Sequence, residues 1–119
     1  MRLTALDELS ERRAPDRVLG LAPDDYPPQY RRWRKQRAAH PYLALPGGES
    51  LADFTERADR ACRTVDQLAC DASGLLVAVS HRVLIGAVVA LHEGVTEPDA
   101  VFTAASAFPL EPAALWPVR

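Results

Sequence analysis

Residues 50–79 constrain the fold more than any other stretch, because two hydrophobic periods meet there. Leu51, Phe54, Ala58, Ala61, Cys62, Val65, Leu68 and Ala69 follow the three-and-four spacing of one helical stripe. Ser50 and Asp53 give the start of that helix a Ser-x-x-acid cap, in which the serine oxygen accepts an orphan N–H. Ser73-Gly74 then makes a turn, and Leu75 to Val79 is a near-continuous apolar run. Such a run suits a strand buried on both faces, as in a parallel sheet covered by helices. Val83 to Leu91 reads as a second buried helix, ended by Gly94. Helix, strand and helix in succession predict the α/β class.

The flanks are less regular. Residues 1–6 alternate weakly, in the manner of a short edge strand. Residues 7–28 are charged, hold four of the chain's ten prolines, and read as mostly irregular. Pro28 can open a helix over Gln29 to Ala39, since its missing N–H would be unpaired there anyway. His40-Pro41 ends it. This is the most basic segment, with Arg31, Arg32, Arg34, Lys35 and Arg37 around Tyr30 and Trp33. It is either a solvated face with the aromatics packed beneath or part of a lid that attracts anions. Glu97-Pro98-Asp99 starts a short helical turn. Phe108 to Val118 holds a last strand that Pro109 and Pro112 restrict to an edge or a bulge.

With 119 residues and 48% hydrophobic content, the chain suffices for one domain, residues 1–119, with one core. A net charge of −2 argues against nucleic acid and against a polybasic membrane surface. No apolar run approaches the ~20 residues of a membrane span. The N-terminus meets acid at Asp7 and Glu8, too early for a signal peptide, so the expected location is cytoplasmic. Cys62 and Cys70 are eight residues apart on one helix, about 12 Å along its axis, too far for a disulfide. They read as two buried free thiols. No Cys/His spacing suggests zinc, no Gly-rich loop follows a strand, and neither metal nor cofactor is expected.

His81 is the sharpest candidate for chemistry. It follows the apolar run and precedes a helix, where ligands of α/β sheets bind. The helix N-terminus adds free N–H groups and a positive dipole end, suited to phosphate. His40 and His92 read as surface histidines.

Three segments in order, Leu9-Ser10-Glu11-Arg12, Pro46-Gly47-Gly48-Glu49-Ser50 and Val79-Ser80-His81, together resemble the histidine phosphatase (phosphoglycerate-mutase-like) superfamily. The Asp53 and Arg57 spacing also matches that family, and by spacing alone the two form an exposed pair four residues apart. The resemblance implies a three-layer α/β fold, here truncated to a small, mostly parallel sheet flanked by helices. It implies His81 as the family's second histidine and Glu11 as its general acid, with Glu8 as the competing match. Arg12, Ser80 and Arg82 are implied as substrate-binding residues. The family's residue after the second histidine is commonly Gly, where this chain has Arg82, and the mutase tyrosine aligns with Ala14. Arg-His-Gly, which carries the family's nucleophilic histidine, does not occur in these 119 residues.

The resemblance therefore implies a degenerate or repurposed member without phosphohistidine catalysis. It would bind an anionic, phosphate- or carboxylate-bearing small molecule or a partner chain. The alternative is an enzyme using His81 and Glu11 as an acid–base pair, for phosphate-ester hydrolysis or for a cyclisation or isomerisation. A third reading has another chain supply the missing half of a phosphatase. In the resembled fold the strand ending at His81 lies beside the absent one, so Leu75–Val79 would show an open apolar edge. A homodimer or heteromer covering that edge is expected.

Overall fold

A computed structural model describes residues 3–18, 20–111 and 114. Among these residues, four α-helices form the framework: α1 (Pro28–Gln36), α2 (Leu51–Asp71), α3 (Arg82–His92) and α4 (Pro98–Ser106). Single 3-10 turns at Asp7–Leu9, Asp16–Val18 and Pro23–Asp25 lead into them. The molecule is elongated, 50 × 27 × 23 Å.

Helix boundaries follow local chemistry. Pro28 is the first residue of α1, which closes three residues earlier than its pattern suggests, in turns at residues 37–39. Asp53 N–H donates to Ser50 Oγ at 3.0 Å, so the cap of α2 forms as its sequence indicates. Gly94, at φ +96°, terminates α3 in the left-handed region. The helical turn expected at Glu97-Pro98-Asp99 continues for nine residues as α4.

The core lies where α3 and α4 pack on each other and on the first half of α2. Leu51, Phe54 and Ala58 meet Leu84, Ala87, Val101, Phe102 and Ala105, with Tyr30 and Trp33 of α1 in the same cluster. Phe54 and Phe102 stack edge to face, with ring centroids 6.4 Å apart. The α3–α4 approach is close enough that a Cβ on Gly86 would stand 2.7 Å from Phe108 Cβ and 2.9 Å from Ala105 Cα. Trp33 donates its indole N–H to the Leu43 carbonyl at 2.7 Å, which anchors the aromatic side of α1. Arg32, Arg34 and Lys35 remain solvated above it.

The α/β expectation is wrong for this structure. Among the described residues there is no strand and no sheet, hence no parallel three-layer arrangement. Residues 3–6 and 108–111 are irregular, and the rest of both anticipated strands lies outside the described residues, apart from Ala114, whose N–H donates to the Glu111 carbonyl. Leu75–Val79, expected as a buried strand, is exposed and without regular structure: Leu75 is 92% and Val79 84% accessible. The cause is a missing partner. A strand exists only through inter-strand N–H···O=C bonds, and nothing described lies alongside this segment to make them.

Two smaller expectations also fail. The stripe of α2 is buried only through Ala61; Cys62, Val65 and Leu68 are half-buried, and Ala69 and Cys70 are exposed. Arg57 is not a surface partner of Asp53 but a buried residue, while Asp53 is exposed. No described helix is long and apolar enough to cross a membrane.

Candidate functional site at the start of helix α3

Arg57 organises the segment that carries the candidate acid. Its Nε and Nη2 grip the Glu49 carboxylate at 2.8 and 2.9 Å, a two-pronged ion pair with both side chains under 10% exposed. The remaining donor capacity goes to backbone: Nη1 to the carbonyls of Glu8 (3.0 Å) and Ser10 (2.6 Å), Nη2 to that of Glu11 (3.2 Å). Burial pushes Glu49 toward neutrality, but the Arg57 hydrogen bond and charge, with help from Arg13, outweigh it and hold the carboxyl below its usual range. The hydrogen bond to Glu49 raises Arg57 in turn, against its own burial.

Pro46–Ser50 is therefore more than a turn into a cap. Glu49 N–H donates to the Arg13 carbonyl at 3.0 Å and its side chain accepts from Arg13 N–H at 3.3 Å. Gly47, at φ +77°, sits where a Cβ would run into the Asp16 carboxylate, and one on Gly48 would lie 2.9 Å from Pro15. The two glycines let residues 13–16 pass directly over the turn.

Held in this way, Glu11 reaches across to α3. Its carboxylate accepts from the backbone N–H groups of Val83 (3.2 Å) and Leu84 (3.1 Å), and also from Arg12 N–H (2.9 Å). These are orphan donors in the first turn of α3, and an anion is favoured there by the helix dipole. Ser80 donates its hydroxyl to the Leu9 carbonyl at 2.6 Å, a second tie between the same two segments. Glu8 supplies only a carbonyl, to Arg57, so Glu11 is the acid whose carboxylate stands at the start of α3.

His81 is the N-cap residue of α3, exposed and extended (φ −113°, ψ 156°), with no side-chain cap bond. Its carbonyl opens the helical ladder by accepting from Ile85 N–H at 2.9 Å. Glu11, Ser80 and His81 thus meet at one junction. The side chains of Arg12 and Arg82 are engaged elsewhere. Arg82 Nη1 donates to the carbonyls of Ser106 (2.9 Å) and Phe108 (3.2 Å), where it serves the C-terminal end of α4. The Arg12 guanidinium lies 5.2 Å from the Trp33 ring centre and 4.7 Å from that of Phe102. Its Nε and Nη2 are buried without a hydrogen-bond partner. Burial lowers its pKa from the ordinary value, and Arg37 adds to this, while Tyr30 and Glu49 oppose it.

Residues away from the junction play other parts. His40 lines an open cleft beyond α1 with Gln36, Ala39, Pro41, Tyr42 and Leu43. Arg37 pairs with Asp99 at 2.9 Å, which ties α1 to α4. Burial, then Asp66 and Asp59, push the Cys62 thiol up, away from reactive thiolate. Sequence spacing missed the Glu49–Arg57 fork because the pair is eight residues apart, with Glu49 outside the helix. The available signal was the position of Arg57, three residues after Phe54 and four before Ala61, on the apolar stripe itself.

A model of the family described as Histidine phosphatase superfamily (branch 1) matches residues 1–105. No curated protein matches significantly, and neither does any solved structure.

Proposed function

Because the chain belongs to the histidine phosphatase superfamily, we propose that it is a degenerate or repurposed member that binds an anionic small molecule at the Glu11–His81 junction. The observation that carries this reading is the Glu11 carboxylate on the N–H groups of Val83 and Leu84. That pair of donors accommodates an oxyanion, and a phosphate or carboxylate ligand would compete for it with Glu11. His81, exposed beside the same donors, supplies a further donor and, when protonated, a positive charge. Phosphohistidine turnover is not expected of these 119 residues, which contain no Arg-His-Gly.

The test is calorimetric titration with inorganic phosphate, run beside an aryl-phosphate hydrolysis assay. The reading expects phosphate heat without turnover, affinity about tenfold weaker in His81→Ala, the size of one charge-assisted hydrogen bond, and tighter binding in Glu11→Gln, which removes the competing charge. No phosphate heat in any of the three proteins contradicts it.

A second reading is favoured by the juxtaposition itself: Glu11 and His81 as an acid–base pair, either for phosphate-ester hydrolysis or for a non-phosphatase reaction such as cyclisation or isomerisation. Aryl-phosphate turnover abolished by either His81→Ala or Glu11→Gln would select its hydrolytic form.

A further inference from the structure

We infer that Arg57 is a positioning residue for the Glu11–His81 junction. By holding the backbone of residues 8–11 it presents the Glu11 carboxylate to α3 as a tethered competitor, and so sets how tightly the junction takes an anionic ligand. The effect on ligand affinity rests on the anion reading; the positioning itself does not.

The guanidinium is fully committed. Nε and Nη2 each give an N–H to Glu49, and every other N–H goes to a carbonyl, of Glu8, Ser10 or Glu11. No donor is left for a ligand, and at 6% exposure the residue is shut off from one. Arg57 therefore acts on the junction only through the carbonyls it holds.

Stability alone does not account for such a residue. A buried ion pair gains little over hydrocarbon of the same volume, because desolvating both charges offsets their attraction. The neighbours of Arg57 on the stripe, Phe54, Ala58 and Ala61, are apolar and wholly buried. Hydrocarbon at position 57 would fill the space equally well. It could not hold three carbonyls of another segment.

The bonds close in on Glu11 from both sides. Arg57 takes the carbonyls of Glu8, Ser10 and Glu11 itself, Glu49 bonds both the N–H and the C=O of Arg13, and Ser80 takes the Leu9 carbonyl. Between these anchors the Glu11 side chain turns to α3, where Oε2 accepts from Val83 N–H and Oε1 from Leu84 N–H. Arg57 stands in the packed half of α2, so Glu11 is held in register with the core. A tethered group meets its donors at an effective concentration that falls as the tether loosens. A free anion competes with Glu11 on those terms.

Amide proton shifts and a double-mutant cycle test this. A charge-assisted acceptor draws an amide proton downfield. Glu11→Ala removes the acceptor and defines how far the Val83 and Leu84 resonances move upfield. Arg57→Lys keeps a cation beside Glu49 but cannot serve a fork and three carbonyls. It is expected to move both resonances part of the way in the same direction, while those of Val89 and Ala90, later in α3, stay in place. Arg57→Met/Glu49→Gln, which strands no buried charge, is the second variant and should do the same. In calorimetric titration with inorganic phosphate, Arg57→Lys should bind at least about twofold tighter than the parent, the low end of coupling within one network. Glu11→Gln/Arg57→Lys should bind no tighter than Glu11→Gln. Val83 and Leu84 resonances that stay in place in both Arg57 variants, or that move together with the whole of α3, overturn the inference. An equal change of phosphate affinity with and without Glu11 overturns it too. No phosphate heat in any of these proteins contradicts the anion reading, and the amide shifts alone then decide the positioning.

Discussion

The two halves of α2 share a helix and a hydrophobic stripe but differ in everything around them. From Leu51 to Ala61 the stripe is packed against α3 and α4, and Arg57 and Glu49 lock the same half to residues 8–13. From Cys62 to Asp71 the stripe continues in sequence and no residue is buried. The exposed Leu75–Val79 segment follows directly. Amphipathic pattern states what a face can bury, whereas burial itself requires a partner.

Substitutions should divide along that line. Arg57→Ala is expected to have the largest effect, a loss of about 3–5 kcal/mol in urea denaturation, because it strands the buried Glu49 carboxylate and releases three carbonyls. Phe54→Ala should follow at about 3–5 kcal/mol, the range for a truncated core aromatic. Leu68→Ala, on the other half, should cost under about 1 kcal/mol. Equal losses at Phe54 and Leu68 would break the comparison.

Gly86→Ala sharpens it on the packed side. Helix propensity favours alanine by about 1 kcal/mol, but the added carbon collides with Phe108 and Ala105, and overpacking costs about 1–3 kcal/mol. The expected outcome is a net loss and a lower melting temperature.

Acid should loosen the packed half first. The folded pKa of Glu49 lies below its unfolded value, near 4.5. Its contribution to stability is therefore present above pH 4.5 and lost as pH falls through the folded value. Stability measured from pH 7 to pH 3 should fall less in Glu49→Gln, already weakened at neutral pH, than in the parent. Arg12→Met is expected to have an effect as small as that of Leu68→Ala. It removes a buried cation with two unpaired nitrogens at the cost of its ring contacts, so stability should change by about 1 kcal/mol or less.

Local chemistry was legible in the sequence: the Ser50 cap, the start of α1 at Pro28, the glycine stop after α3 and the first half of the α2 stripe all form as read. The sheet was not. Leu75–Val79 has a strand's composition, yet a ladder depends on a second strand that no local pattern reveals. Arg57 failed for a related reason. Its nearest acid in helical spacing is Asp53, but the fork is closed by Glu49, brought over by the glycine turn. At the site, the resemblance singled out Glu11, Ser80 and His81, which the structure gathers at the start of α3. It gave no hint that Glu11 itself occupies the helix N–H groups or that Arg82 serves α4.

Amide hydrogen exchange tests the contrast between the two halves most directly. Amides of residues 54–61, inside the packed half of α2, should be strongly protected, while those of 75–79, exposed and bonded to no described acceptor, should exchange rapidly. Protection of 75–79 equal to that of 54–61 would contradict the account.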